Sequence, residues 1–447
     1  MIWEKGDGDD FAGAVWRPPP GKRGAFLHER LVSAGGRGIR VRRLGGDRAG
    51  EIQLTRFLRN ANVTPQEMAA CAAERLTARC SDRHVLAIQD TTVAKSEGGG
   101  GLYLHVCLAV DADDGAILGL AHAQFLKREE GRKAQRRDLP TSQKESQRWL
   151  DGADAAARAC AQARQLTLIS DREADIYAAF ARRPAGAQMV VRAAQDRSLE
   201  DGGRLFAAID ALPEAGRVKL DLPAKPGRPA RQATLATRFS RVALKRPRNS
   251  VEHDLPDALT LWLVDVREVD PPAGESVHWR LLTTYPVADL PAALDVVALY
   301  RRRWAIEQLF RTMKTQGFDI EGLRIEDDAP RCNLVMAALV AAVTVQQLVH
   351  ARDGALAQGR LRPVIDAFEE DDVPLLEALC AKLEGKTQRQ KNPHPKRSLA
   401  YASWICARLG GWTGYYGKPG PVVMLEGWFE FQAAKRGLRA MKANHNV

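Results

Sequence analysis

The chain lacks any C-x-x-C pair, and its seven cysteines (Cys71, Cys80, Cys107, Cys160, Cys332, Cys380, Cys406) are odd in number and widely scattered. This argues against both a disulfide framework and a structural zinc site, and it points to a reducing cytosol. No apolar run reaches membrane-spanning length. The longest, Leu334 to Val343, covers about half a bilayer and is followed by Thr344, Gln346 and Gln347. It predicts a buried helix and no membrane partner. The opening residues, MIWEKGDGDDF, lack the basic-then-apolar order of a secretory leader. No internal repeat is present. With 447 residues the chain is too long for a small module held by disulfides, and its length suggests two or three domains.

What the sequence does have is basic charge in patches. The net +11 arises from 66 Lys and Arg against 55 Asp and Glu. Residues 221–250 carry +7, residues 300–314 carry +4 and residues 381–397 carry +5, so the remainder is −5. Such patches suit a polyphosphate backbone, although any single basic run is as readily a solvated face.

Residues 1–50 hold Pro18-Pro19-Pro20 and many Gly and Arg without sustained periodicity; only a short helix near Phe26–Ser33 is expected there. From Glu51 to Arg79 the pattern is helical. Thr64 stands as an N-cap before Pro65, with Glu67 three residues on. An α/β pattern follows. His84–Asp90 reads as a strand stopping at an acid. Leu102–Val110 and Ala116–Leu126 form a hairpin around Asp111–Gly115, and Lys144–Gln165 is helical. Leu166–Asp171 is a second strand stopping at an acid, followed by a helix at Arg172–Arg182 and a strand at Gln188–Arg192. That order is the one found in ribonuclease H-like folds. Val218–Leu222, Gln232–Ala236, Leu259–Val269 and His278–Thr284 predict a β-rich insertion at about 205–286. Helices at Leu294–Gln316 and Asn333–Arg352 come next. The fold class expected is therefore α/β: a ribonuclease H-like core over 76–370 with a β-rich insertion, a helical N-terminal region over 1–75 and a mainly helical C-terminal domain over 371–447.

At 100° per residue, Tyr300, Arg303, Glu307 and Lys314 fall within about 60° of one another, beside an apolar stripe of Leu299, Ile306, Phe310 and Met313. A lone carboxylate among cations on the border of a core face could meet acids from strand ends. A salt-bridged exposed face remains the alternative.

Tyr300-x2-Arg303-x3-Glu307-x6-Lys314 resembles the YREK signature of the DDE transposases of the bacterial insertion-sequence-four group. Asp90-Thr91-Thr92 is similar to that family's first acidic block, and Asp171-Arg172-Glu173-Ala174-Asp175-Ile176 to its second. Lys144-Glu145-Ser146, Trp279–Thr283 and Ala407–Gly411 fall in the expected order, and the resemblance spans roughly residues 50–440.

The resemblance implies that Asp90, Asp171 and Glu307 are catalytic and hold two Mg²⁺ ions, with Mn²⁺ able to substitute; paired cations of this kind stand about 4 Å apart. It implies DNA contacts by Tyr300, Arg303 and Lys314, a flipped base stacked on Trp279, and a further contact from Arg192. A buried core tryptophan is the alternative for Trp279. Asp175 and Asp111 read as surface or turn acids. The implied activity is cut-and-paste transposition: strand cleavage, hairpin formation and strand transfer. The implied partners are double-stranded DNA (inverted-repeat ends and target) and a second copy of the chain, a homodimer formed through the C-terminal domain. The place of action is the bacterial cytoplasm, at the nucleoid.

The stretch Gly36–Arg43 departs from the family pattern, which resumes near Leu54–Phe57. A frameshifted segment or a misassigned start is the expectation for this departure. Two alternatives remain: a catalytically silent copy regulating transposition by dimerisation, and a stand-alone ribonuclease H-like nuclease.

Overall fold

The computed structural model describes residues 39, 41–45, 47–97, 100–127, 139–222, 229–272, 276–354, 360–415 and 417–445. The short helix expected at Phe26–Ser33 lies outside them. Nine strands are described: β1 His84–Glu97, β2 Gly100–Asp111, β3 Ile117–Lys127, β4 Gln165–Ser170, β5 Gln188–Arg192, β6 Gly216–Leu222, β7 Arg231–Lys245, β8 Ala258–Glu268 and β9 His278–Thr283. They form one mixed sheet in the order β3-β2-β1-β4-β5-β9-β8-β7-β6. β1 is parallel to β4, and β4 to β5; every other neighbouring pair is antiparallel.

Two expectations change here. β1 does not stop at Asp90. It runs on to Glu97 because β2 continues to pair with it as far as Gly100. The four strands between 216 and 283 also extend the same sheet, joined to it by antiparallel pairing of β9 with β5. Among them β7 is 15 residues long, far beyond the five read from Gln232–Ala236, because β6 and β8 pair along successive parts of it.

Twelve α-helices are described. The first three are α1 Val41–Gly45, α2 Arg48–Leu58 and α3 Pro65–Arg79. The helix at α3 starts as its sequence dictates: Thr64 Oγ1 accepts from the Glu67 N–H at 3.2 Å, with Pro65 in the first turn. α2 begins earlier than the apolar periodicity suggests, because Asp47 accepts from the Gly50 N–H at 2.7 Å. Gly45 and Gly50 are needed there, since a Cβ on Gly50 would lie 2.2 Å from the Gly45 carbonyl oxygen. Part of the Gly-rich stretch that looked aperiodic is thus a close backbone crossing.

α4 Gln147–Ala159, α5 Tyr177–Ala181 and α6 Leu205–Asp210 follow. The helix expected over Arg172–Arg182 is instead a 3₁₀ turn, Arg172–Ala174, and the short α5, separated by Asp175 at ψ 71. α7 Leu290–Arg301 and α8 Trp304–Met313 replace the single helix expected over Leu294–Gln316. Between them the Arg303, Ala305 and Ile306 N–H groups bond three residues back, to Tyr300, Arg302 and Arg303. This tightening shifts the phase of the stripe.

α9 Asp328–Ala351 is long and apolar enough to cross a membrane, yet most of it is buried within the protein, as a core helix is. It also carries buried polar anchors. Asn333 Nδ2 donates to the Leu58 and Val63 carbonyls, and Gln346 Nε2 donates to Thr312 Oγ1. α10 Val373–Leu383, α11 Leu399–Leu409 and α12 Pro421–His445 complete the chain. α11 and α12 cross with backbone in contact at Gly427, where a Cβ would meet the Cys406 carbonyl. All seven cysteines are free and buried.

The sheet separates two cores, and β1 shows how. Leu86 and Ile88 face a core shared with α8, α9, α11 and α12, whereas Val85 and Ala87 face one shared with α4 and α5. Each fully buried Leu, Ile or Val among them contributes roughly 1.5–3 kcal/mol. Strand alternation therefore directs Asp90 toward α8, and Gln89 and Thr91 toward α4.

Candidate active site

Asp90 owes its opening to its neighbour strand. The parallel register of β1 with β4 ends at Gln89 and Ser170, so β4 stops where Asp90 begins, and Asp171 follows directly as the chain leaves the sheet. Both carboxylates thus arise where the parallel pairing of β1 with β4 ends, Asp90 within β1 and Asp171 just past β4, on the side where open α/β sheets place ligands. Glu307 reaches the same edge from the first turn of α8, whose Ile306, Leu309 and Met313 are buried against the core.

Arg303 links two of the three. Its Nη1 donates to Asp90 Oδ2 at 3.1 Å, and its Nη2 donates to Glu307 Oε1. Tyr300, buried on α7, donates its hydroxyl to Asp171 Oδ1 at 3.1 Å. Arg192, the last residue of β5, brings Nη1 to 3.7 Å from the same oxygen and donates Nη2 to the His278 carbonyl. Trp279 meets the Tyr300 ring edge to face at 5.7 Å. Lys314 directly follows α8. It leaves the helix at φ −99, ψ −106 and pairs with Glu321 at 2.7 Å. Of the four residues expected on one helix stripe, Tyr300, Arg303 and Glu307 are thus bonded within the site, whereas the described partner of Lys314 is Glu321.

The electrostatics follow from crowding. Burial pushes the Asp90 carboxyl up to about 6; the Thr91 N–H and Arg303 oppose this, and Asp171 and Glu307 add to it. Burial works against the Arg303 charge, but Tyr300 and the three carboxylates hold its pKa above the usual value. The Tyr300 phenol is held well above its ordinary range by burial and by Asp171.

Among the described residues, no three His, Cys, Asp or Glu side chains stand close enough to hold one ion. In donor chemistry the three carboxylates nonetheless suit a hard cation. Arg303 stands between Asp90 and Glu307, so those two could share an ion only once it moves aside.

Glu307 lines a cleft of about 1020 Å³ together with Arg192, Arg231, Arg301, Arg303, Trp279 and Trp304, and Asp90 and Asp171 adjoin it through their contacts with Arg303 and Tyr300. Trp304 and Arg231 were not singled out from sequence. Trp304 is more than a third exposed, with Arg311 over its ring, and its position beside Arg303 is the signal that could have found it. The basic patches are less available than their counts suggest. Arg231 pairs with Glu268, Arg246 with Asp257, Lys396 with Glu377 and Arg397 with Glu370.

Two acids read as surface or turn groups are buried. Asp175 accepts from the Ala194 and Gln195 N–H groups and from Arg197. Asp111 does sit at the hairpin turn, but Arg83 and Arg362 close over it. Their guanidinium partners come from distant parts of the chain, which local sequence does not reveal.

Acids on adjacent parallel strands where their pairing ends, opposite a helix acid and beside an arginine-lined cleft, form a constellation suited to phosphoryl transfer on a nucleic acid. A family model described as the transposase DDE domain matches residues 104–343, more than half of the chain. The match includes Asp171 and Glu307 and begins in β2, just after the strand that carries Asp90. The chain therefore belongs to the transposase DDE domain family, whose members are DNA-acting phosphoryl-transfer enzymes.

Proposed function

We propose that this transposase is of the insertion-sequence-four type and carries out cut-and-paste transposition, with Asp90, Asp171 and Glu307 as its reactive carboxylates on a ribonuclease H-like core. The observation that carries the reading is the convergence of these acids at one sheet edge with Tyr300, Arg303 and Arg192 bonded to or beside them. The strand order β3-β2-β1-β4-β5 supports the fold assignment.

Asp90, Asp171 and Glu307 would hold two Mg²⁺ ions, or Mn²⁺ in their place. When bound, the ions activate an oxygen nucleophile and stabilise charge on the attacking and leaving oxygens. The remaining work falls to the chain. Arg303 exchanges its carboxylate partners for a DNA phosphate, to which its planar fork is suited. Tyr300 orients Asp171 and meets the backbone near the cut. Arg192 adds charge beside Asp171, and Lys314 contacts phosphate further along once freed from Glu321. Trp279, on the cleft wall, offers its ring to a base extruded as the hairpin forms. A homodimer built through residues 371–447 would hold two DNA ends.

The test is an end-labelled duplex carrying the element's terminal inverted repeat and flanking DNA, incubated with Mg²⁺ and resolved on a denaturing gel. Nicked and hairpin products are expected from the wild type and lost in Glu307→Gln, with DNA binding retained. Wild-type cleavage by Glu307→Gln overturns the assignment. An intact protein that makes no product but inhibits an active relative is the regulator instead.

A further inference from the structure

The face of β1 opposite Asp90 carries a closed chain of hydrogen bonds that the transposase chemistry does not itself require. Thr91 and His105 are directly paired across β1 and β2. Thr91 Oγ1 lies 2.9 Å from His105 Nδ1, and His105 Nε2 lies 3.1 Å from Gln89 Oε1. Arg148, from the first turn of α4, brings Nε to 3.3 Å from Thr91 Oγ1. The same guanidinium donates to the Glu145 carbonyl and to Glu173, two residues beyond Asp171. Gln89, His105 and Arg148 are all buried.

Donor and acceptor capacities fix the direction. Arg148 can only donate, so Thr91 Oγ1 accepts from it; Gln89 Oε1 can only accept, so the neutral ring carries its hydrogen on Nε2 and its Nδ1 accepts from the Thr91 hydroxyl. His105 then donates from Nε2 to Gln89. This requires a neutral ring, and burial, with Arg148 and His122 nearby, holds His105 well below its ordinary value. The ring is also fixed by shape. Trp149 meets it edge-on at 4.7 Å, and α4 approaches so closely at Gly152 that a Cβ there would lie 2.3 Å from Gln89 Oε1.

We infer that Arg148, His105 and Thr91 are positioning residues for Asp90. They clamp the residues on either side of it, Gln89 and Thr91, so that the pleat holds Asp90 toward Glu307 and Asp171, while the Arg148–Glu173 bond ties the β4 end to the same clamp. The Thr91 N–H also donates to Asp90 Oδ1 at 2.8 Å, so the residue being clamped is in direct contact with the carboxylate. Partners that orient ligating groups in this way typically matter by 10- to 100-fold in activity or cation affinity. The inference rests on Asp90 being a reactive carboxylate.

The test compares Asp90→Asn, Thr91→Val, Thr91→Ser and His105→Phe in the full chain. Strand cleavage is followed as Mn²⁺ is titrated, with end-DNA binding and thermal unfolding measured alongside. Thr91→Val keeps the side-chain shape and the backbone N–H while removing the hydroxyl. It is expected to cleave about tenfold or more slowly, with its Mn²⁺ midpoint moved upward and its DNA binding unchanged. Thr91→Ser is expected to restore both rate and midpoint, which a packing role for the Thr91 methyl would not do. His105→Phe, if it folds, should resemble Thr91→Val. Wild-type rate and midpoint in Thr91→Val, or equal loss in Thr91→Ser, overturns the positioning role even where Asp90→Asn is inactive. Undiminished cleavage by Asp90→Asn overturns the carboxylate reading, and the clamp with it.

Discussion

Asp171 and Asp175 stand four residues apart with the same side chain, yet one stands on a rim beside the cleft-lining Tyr300 and Arg192 and the other in the interior. Asp171 is about a third exposed, and its contacts are a phenol hydroxyl at 3.1 Å and a guanidinium at 3.7 Å. Asp175 is fully buried, held by two backbone N–H groups and by both Nε and Nη2 of Arg197. Asp90 and Asp111 repeat the contrast along β1 and β2. Acids of the interior are saturated by fixed partners and lock the chain. Acids of the rim share partners that can be exchanged, and exchange is what ligand binding at a charged site requires.

The contrast breaks most visibly if an interior lock is opened. Arg197→Met leaves the Asp175 carboxylate buried without its cation and should cost about 3–5 kcal/mol, read from urea unfolding. A loss below about 1 kcal/mol would put Asp175 in the same class as a surface acid.

A smaller effect is expected at the rim. Arg303→Gln removes the cation between Asp90 and Glu307 and should destabilise the protein by roughly 1–3 kcal/mol near neutral pH. Unlike the loss at Arg197, this one should be recovered by adding Mn²⁺, which can take over the carboxylates. Thermal unfolding with and without Mn²⁺ measures the difference, and no recovery would mean that the rim partners are as fixed as those inside.

The pH dependence at Asp90 sharpens the same point. Its carboxyl is raised in the folded protein, to about 6, so the folded state binds the proton more tightly than the unfolded chain does. The stability this gives is fully present below the ordinary carboxylate range and is lost as pH rises through about 6. Asp90→Asn should lack this component. The stability gap between variant and wild type should therefore shift in favour of the variant across that window, as followed by unfolding at successive pH values. A constant gap would contradict the assignment.

The smallest effect is expected from an exposed pair. Lys396→Ala, which removes the contact with Glu377 at 3.0 Å, should change stability by less than about 1 kcal/mol, and still less at high salt. A larger change in chemical denaturation would show that the 381–397 patch is not simply solvated.

Legibility in the sequence followed the range of the interaction. β5 was read at Gln188–Arg192 as it stands, and the hairpin around Asp111–Gly115 nearly so, because apolar runs and turn residues lie within a few positions of one another. Thr64 and Pro65 announced α3 for the same reason. The extension of β1 past Asp90 was not legible, since it depends on how far β2 continues to pair. Nor was the division before α8, where backbone hydrogen bonds reach back three residues at Arg302 and Arg303 within a sequence that remains helical in composition. The four strands of 216–283 were read as strands, but their attachment to β5 was not.

Most elements and their order, the spacing of Tyr300, Arg303 and Glu307, and the acids at the ends of two apolar runs are legible along the chain. These are set by periodicity, capping and turn chemistry, which act over a handful of residues. Which acids keep exchangeable partners follows from the packing of distant segments. That depends on where β4 ends beside β1, on which arginine arrives from 22 residues or 251 residues away to bury Asp175 or Asp111, and on the phase at which α8 leaves α7. A carboxylate's environment is the sum of such distant arrivals, and no local pattern specifies it.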